Sequence, residues 1–210
     1  SPGSGVQPES SVVVGGGEIT VVEVAPSGDA EAQPVAVLFL HGAAYTSQTW
    51  VANGILASVA EAGHRSVAID LPGSGTSDSV DVDEADFLAA LLPALELDPA
   101  TTVVVSPSMS GIFSLPALRT DALADLAGYV PVAPSGASSF ADGGPPVDVP
   151  ALLVWGDGDG NDPQAAAERL GEGFTDAEVL VLADAGHAAY EQQPEAFTDA
   201  LLTFVTSLSP

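Results

Sequence analysis

Cysteine and lysine are both absent from this chain, and its basic residues are Arg65, Arg119 and Arg169. Without cysteine there are no disulfides, no thiolate catalysis and no Cys-ligated metal, and the redox compartment stays open. Three arginines against 29 Asp plus Glu leave a net charge of −26. With no basic patch to neutralise phosphates, nucleic acid and anionic membrane are excluded as partners. The acidity has two readings: a solvated surface, or adaptation to high salt, where counter-ions screen the repulsion. No apolar run reaches the 18 or more residues of a membrane-spanning helix, so membrane insertion is not expected.

What the chain does have is apolar content, 46% over 210 residues, enough for one domain with a sizeable core. Residues 1–10 are rich in Gly, Pro and Ser and read as a flexible lead-in, leaving 11–210 as a single domain. The chain does not begin with Met; a mature exported protein and a trimmed cytosolic one both start this way, so localisation stays undetermined. Ser11–Val14 and Glu18–Val24 around a Gly15-Gly16-Gly17 turn read as an antiparallel start to a sheet. After residue 35, strand-like and helix-like segments alternate, the pattern of an α/β fold with a mainly parallel sheet. The strands are Val35–Leu40, Ser66–Asp70, Val103–Val105, Gly128–Pro131, Ala151–Trp155 and Val179–Leu182. Helices are predicted over 47–62, 83–97 (with Pro93 placed to kink or split it), 162–170 and 194–208. The stretch from Pro134 to Pro150 reads as a short Gly/Pro-rich loop without helical periodicity, and so without a cap.

The most informative stretch is Val103-Val104-Val105-Ser106-Pro107-Ser108-Met109-Ser110-Gly111. A serine at a strand-to-helix corner is lifted above the sheet, with free N–H groups of the helix start beneath it. Such a turn brings the residues two before and two after the nucleophile together, so both must be small. Ser108 alone satisfies this, flanked by Ser106 and Ser110; the other two serines each have a branched neighbour, Val104 or Ile112. Glycines usually stand where Ser106 and Ser110 do, and a strand followed by a Ser-rich helix cap is the plain structural alternative.

A serine hydroxyl becomes a useful nucleophile only when an imidazole takes its proton, and the imidazole needs a carboxylate to hold its tautomer. Of the three histidines, His41 ends a strand and reads as structural, and His64 falls at the opposite end of the sheet. His187 follows the last strand, at the same carboxyl edge as Ser108, where open parallel sheets place their sites. Nine aspartates lie between Ser108 and His187. Position sets most aside and leaves Asp157 and Asp159 after the Trp155 strand, with Asp184 as an outsider; an ordinary Asp-Gly turn is the plain reading of the first two.

The order of these pieces resembles the α/β-hydrolase family over nearly the whole chain. The matching residues are His41-Gly42, Asp70-Leu71-Pro72-Gly73-Ser74-Gly75, the elbow at Ser108, Gly156-Asp157-Gly158-Asp159, and Gly186-His187. Within that family, Ser106-Pro107-Ser108-Met109-Ser110-Gly111, Ser114-Leu115-Pro116 and Val130-Pro131-Val132-Ala133-Pro134 are similar to the small lidless CIB-type group (abhydrolase domain fourteen). That group carries serines at the two elbow glycine positions. The resemblance implies the α/β-hydrolase fold, a catalytic Ser108, Asp159 and His187, and oxyanion donors at the N–H groups of Ala43 and Met109. It favours Asp159 as the acid, with Asp157 shaping the turn.

The leading functional reading is a serine hydrolase cleaving an acyl bond of a small molecule, foremost a small carboxylic ester, through an acyl-enzyme. Amidase, thioesterase and acyl-transferase activities share the machinery, as does a haloperoxidase-like or lactone-cleaving enzyme. The reading from a different class is a non-catalytic binding protein on the same fold. Relatives with dehalogenase or epoxide-hydrolase chemistry carry Asp at the elbow, which disfavours both. The chemistry needs no metal or cofactor, and no ligand cluster has metal spacing.

Overall fold

The computed structural model describes residues 9–27 and 30–208. Most of the expected lead-in, residues 1–8, lies outside the described residues, and Ser10 already belongs to the first strand. Eight strands form one sheet: β1 (Ser10–Val14), β2 (Gly17–Val24), β3 (Ala36–Phe39), β4 (Ser66–Ile69), β5 (Thr102–Pro107), β6 (Gly128–Val132), β7 (Ala151–Gly156) and β8 (Ala177–Leu182). Their spatial order is β1-β2-β4-β3-β5-β6-β7-β8. The β1–β2 and β2–β4 pairs are antiparallel, and every pair beyond is parallel.

The central strands are continuous apolar runs because helices cover both faces of the sheet. Alternation inside those runs sorts the side chains. Leu38 and Val104 pack on one face with Phe87, Leu91 and Leu115; Phe39, Val103 and Val105 pack on the other with Trp50, Leu56 and Phe197. The first face is covered by α3 (Glu84–Ala94), α4 (Gly111–Ala117), α5 (Ala137–Asp142) and α6 (Pro163–Gly171). The second is covered by α1 (Ser47–Ala52), α2 (Ile55–Glu61), α7 (Ala189–Gln192) and α8 (Pro194–Ser207).

Three helical expectations change. The helix predicted over 47–62 is two helices, broken where Gly54 takes a left-handed φ of 81° and Asn53 Oδ1 accepts the Ile55 N–H at 3.1 Å. Pro93 neither splits nor displaces α3; it sits in the last turn, one residue before the helix ends at Ala94. The stretch expected to be a plain loop contains α5, whose Phe140 is buried against Phe174 with ring centroids 5.2 Å apart. Arg119 secures this segment by donating to the Pro145 and Phe140 carbonyls (2.8 and 2.6 Å), its guanidinium 4.3 Å from the Phe140 ring centroid. So short a helix inserted between β6 and β7 makes no cap domain.

The chain runs from β3 outward to β4, then returns to place β5 on the other side of β3. At that reversal the loops after β3 and β5 diverge, leaving a crevice at the carboxyl ends of the strands. The loop after β3 is His41-Gly42-Ala43, and the turn after β5 carries Ser108.

Candidate active site

The β5–α4 turn is sharp: Ser108 has φ 50°, a left-handed conformation that non-glycine residues rarely take. It begins a single 3-10 turn, Ser108–Ser110, that leads into α4. The Ser108 carbonyl accepts the Ser135 N–H at 2.8 Å, tying the turn to the loop after β6. A Cβ on Gly111 would press on Pro134 and Ser135, so only glycine lets α4 start this close to that loop.

His187 lies beyond β8, and two neighbouring segments orient its loop. Gly158 donates its N–H to the Ala185 carbonyl at 2.8 Å, and Asp157 Oδ1 accepts the Ala185 N–H at 3.2 Å. Gln192 Oε1, from α7, accepts the Gly186 N–H. A side chain on Gly156 would run into the Ala185 and Gly186 carbonyls, so that glycine permits the loops after β7 and β8 to touch. The result brings three of the sequence-selected residues together. His187 Nε2 is 2.8 Å from Ser108 Oγ, and His187 Nδ1 is 3.0 Å from Asp159 Oδ2. The Asp159 side chain is 19% exposed and that of His187 56%, so the imidazole faces solvent on an otherwise shielded acid. Asp157 faces the turn instead, and Asp184, exposed with φ 55°, makes no hydrogen bond or ion pair with the imidazole, whose partners are Ser108 and Asp159.

His41 is buried and fully engaged: its Nδ1–H donates to the Gly42 carbonyl at 2.8 Å, and its Nε2 accepts the Leu71 N–H at 2.9 Å. Burial pulls its pKa below the ordinary value, outweighing the Gly42 bond and the Asp70 charge, so the ring is neutral. His64 donates to the Val35 carbonyl at the other end of the sheet. Asp70, which sequence reasoning noted only as part of a motif, braces the same edge. Its carboxylate accepts the Ser47 N–H (2.8 Å) and the Thr76 N–H (3.0 Å). Burial alone would raise its pKa, but those donors prevail and hold it below the usual carboxylate range. A carboxylate at a strand end beside a glycine-rich loop was the available signal.

A cavity of about 200 Å³ opens over Ser108, walled by Gly42, Ala43, Tyr45, Pro107, His187 and Tyr190. Gly42 brings its loop up against Ser108, since a Cβ there would stand 3.4 Å from Ser108 Cβ. Ala43 is therefore part of the cavity wall, while Met109 follows Ser108 in the 3-10 turn, where first-turn N–H groups lack intrahelical acceptors. Tyr190 stacks on Trp50 (centroids 4.5 Å apart), and burial, with Tyr45 and Glu191 nearby, pushes its phenol above the ordinary value. Trp50 belongs to the core, Phe113 packs on Phe87, and Phe140 is a buried residue of α5; none of the three lines this cavity. A larger hollow of about 420 Å³ along Arg119, Thr120 and Pro145 contains none of the residues around Ser108.

Among the described residues, no helix is long and apolar enough to cross a membrane. Residues 37–147 match the model of the "Alpha/beta hydrolase family", and residues 128–209 match that of "TAP-like protein". The chain is 40% identical to the "Putative protein-lysine deacylase ABHD14B" of Pongo abelii and 39% identical to that of Homo sapiens. Both matches cover 96% of this chain and 97% of the relative. Among solved structures, the "predicted CIB-like hydrolase" of Thermoplasma acidophilum superposes with a TM-score of 0.81 at 23% identity, covering 96% of this chain and 98% of that one. The carboxylesterase CesB of Bacillus subtilis superposes at 0.75 and 16% identity, over 95% and 92% of the two chains. The chain belongs to the alpha/beta hydrolase family, in its abhydrolase domain 14-like group.

Proposed function

We propose that this hydrolase is a serine hydrolase that cleaves an acyl bond through Ser108, His187 and Asp159. The observation that carries the reading is the continuous line of contacts Ser108 Oγ–His187 Nε2 (2.8 Å) and His187 Nδ1–Asp159 Oδ2 (3.0 Å) at the mouth of a cavity. His187 Nε2 takes the hydroxyl proton as Ser108 Oγ bonds to the substrate carbonyl carbon. Asp159 accepts the Nδ1–H, which fixes the tautomer and stabilises the imidazolium. The N–H groups of Ala43 and Met109 receive the oxyanion; losing one such donor typically costs about 10²–10³ in rate. His187 then gives its proton to the leaving group, whose bond to carbon breaks and leaves an ester on Ser108. Water repeats the sequence, releasing a carboxylic acid and the free serine.

A cavity of about 200 Å³ suits a short acyl group, and the foremost substrate is a small carboxylic ester. A second reading, an amide of a lysine side chain, is favoured by the name carried by the relatives at 39–40% identity. The two share the acyl-enzyme and differ only in whether His187 protonates an alkoxide or an amine. The test is a fluorophosphonate probe followed by a panel of activated esters and acyl-lysine peptides of rising chain length, on wild type and Ser108→Ala. One label on the Ser108 peptide, with turnover lost in Ser108→Ala, is the expected result. Labelling that survives Ser108→Ala moves the role to Ser106 or Ser110, and no labelling at all favours a binding protein.

A further inference from the structure

Beneath the elbow lie four buried hydroxyls that the proposed chemistry does not use: Ser106, Ser110, Ser114 and Tyr129. They form one line of contacts. Tyr129 Oη is 2.7 Å from Ser114 Oγ, Ser114 Oγ is 2.6 Å from Ser106 Oγ, and Ser106 Oγ is 2.9 Å from Ser110 Oγ; Ser110 Oγ is 2.8 Å from the Pro107 carbonyl.

Each hydroxyl has one proton, and that decides every direction in the line. A carbonyl cannot donate, so Ser110 must donate to Pro107. Its proton being used, Ser110 can only accept from Ser106. Ser106 in turn can only accept from Ser114, and Ser114 from Tyr129. The Ser110 carbonyl, 3.2 Å from Ser114 Oγ, is a competing acceptor for the Ser114 proton, and the shorter 2.6 Å contact favours Ser106. Burial pushes the Tyr129 phenol up to about 12, against the opposing pull of its serine partners, so it remains a donor at all ordinary pH. Four donors therefore point the same way and end on one acceptor. Aligned chains of this kind polarise one another and strengthen each bond.

The end point matters because of where Pro107 sits. Its carbonyl belongs to the peptide plane that supplies the nitrogen of Ser108. Rotation of that plane about the Ser108 N–Cα bond is the φ angle, held here at 50°. We infer that Ser106, Ser110, Ser114 and Tyr129 form a directed hydroxyl chain that holds the peptide before Ser108, and so positions the nucleophile. All four are positioning residues; none reaches the cavity over Ser108. A glycine elbow gains its tightness from missing side chains, whereas this one fills the same space with a bonded chain.

The inference rests on Ser108 being the nucleophile, so the experiment carries one readout that does not depend on labelling. Ser110→Ala, Tyr129→Phe and the double variant are compared with wild type for the fluorophosphonate labelling rate of Ser108, for kcat and KM on a short activated ester, and for amide hydrogen exchange of the elbow peptide. Ser110→Ala is expected to lower labelling and kcat by about ten- to a hundredfold, the scale of a small misplacement, with KM unchanged. Its elbow amides should exchange faster. Tyr129→Phe should do the same more weakly, and should have no further effect in the Ser110→Ala background, where the chain is already cut. A role confined to stability would lower the melting temperature in each variant while labelling and kcat stayed put. That result overturns the inference, as do equal effects of Tyr129→Phe in both backgrounds. If Ser110→Ala does not fold, Tyr129→Phe alone decides, since it keeps the ring and removes only the first donor. A wild type that never labels overturns the serine-hydrolase reading instead, and elbow exchange then decides the chain by itself.

Discussion

Changing Asp159 to Asn separates the two aspartates that the sequence left in competition. The substitution keeps the size of the side chain and removes its charge. An amide can turn either its oxygen or its NH₂ toward His187 Nδ1, 3.0 Å away. With the NH₂ facing inward the imidazole must carry its proton on Nε2, and then cannot accept one from Ser108 at 2.8 Å. In the serine-protease triad the same change costs about 10⁴ in turnover, or roughly 5.5 kcal/mol at 1.36 kcal/mol per tenfold. Here the imidazole side chain is 56% exposed, so water can share its Nδ1–H and soften the loss. The expected fall in kcat is therefore about 10²–10⁴, with folding stability lowered by no more than about 0.5–1.5 kcal/mol, the net worth of the one hydrogen bond touched. Asp157→Asn retains an oxygen that can accept the Ala185 N–H, and should cost less than about threefold, as no proton-transfer contact is touched. The assay is steady-state hydrolysis of an activated short-chain ester, with thermal unfolding of each variant measured alongside. The reverse ranking would hand the acid's role to Asp157, and near-wild-type rates in both would refute the proposed charge relationship and point to Asp184.

Gly156→Ala should lower kcat/KM by at least about tenfold and destabilise the fold by about 1–3 kcal/mol, because the new methyl meets the carbonyls that carry the His187 loop; matched kinetic and denaturant titrations check this. His41 is neutral in the fold with its pKa lowered, while unfolded histidine titrates near 6.5, so below that value the unfolded state binds more protons. The stability this contributes is complete above about pH 6.5 and is lost as pH falls toward the folded value; His41→Gln should flatten the fall in melting temperature between pH 7 and 5, and an unchanged slope refutes it. The uncompensated charge of −26 should make melting temperature rise from dilute buffer to molar NaCl, as screening shortens the reach of repulsion to about 10 Å by 0.1 M; a flat or falling profile counts against it.

Much of the architecture was legible because a strand buried on both faces must be an uninterrupted apolar run, as 35–40, 103–105 and 151–155 are. Residues at the ends of such runs fall on one edge of a parallel sheet, which is why chain position alone put Ser108 and His187 on the same side. What escaped was set by single residues or by contacts distant in sequence. One glycine at 54 divides a helix whose apolar spacing looks continuous. Gly136-Ala137-Ser138-Ser139 has little helical propensity, yet α5 forms because Phe140 finds a buried place against Phe174. Spacing could not choose between Asp157 and Asp159, two residues apart on one turn; resemblance favoured the second, and it is the second that faces His187. The contact of Ser114 with Tyr129 joins a helix to a neighbouring strand, and no linear pattern announces it.

Ser108 has a conformation that serine disfavours, at a cost of order 1–3 kcal/mol for such a backbone angle. Strain of that size would relax into an ordinary turn unless both sides of the residue were held. Before it, the Pro107 carbonyl accepts from Ser110 at 2.8 Å, and proline's ring restricts the preceding backbone. After it, the Ser108 carbonyl accepts the Ser135 N–H at 2.8 Å, and Gly111 lets that loop lie flush against the helix start. Two hydrogen bonds at about 1 kcal/mol each are comparable with the strain, and the packing of α4 against α3 adds to them. The same turn therefore cannot be kept by local sequence alone: it requires β6 to deliver Ser135 and β5 to end at Pro107. That dependence explains why a serine in this setting is raised and fixed at the crevice, where serines in an ordinary loop would keep their rotational freedom. The strained residue is also the one within 2.8 Å of His187 Nε2, so the fold's expense at the elbow and the chemistry proposed for it fall on one atom, Ser108 Oγ.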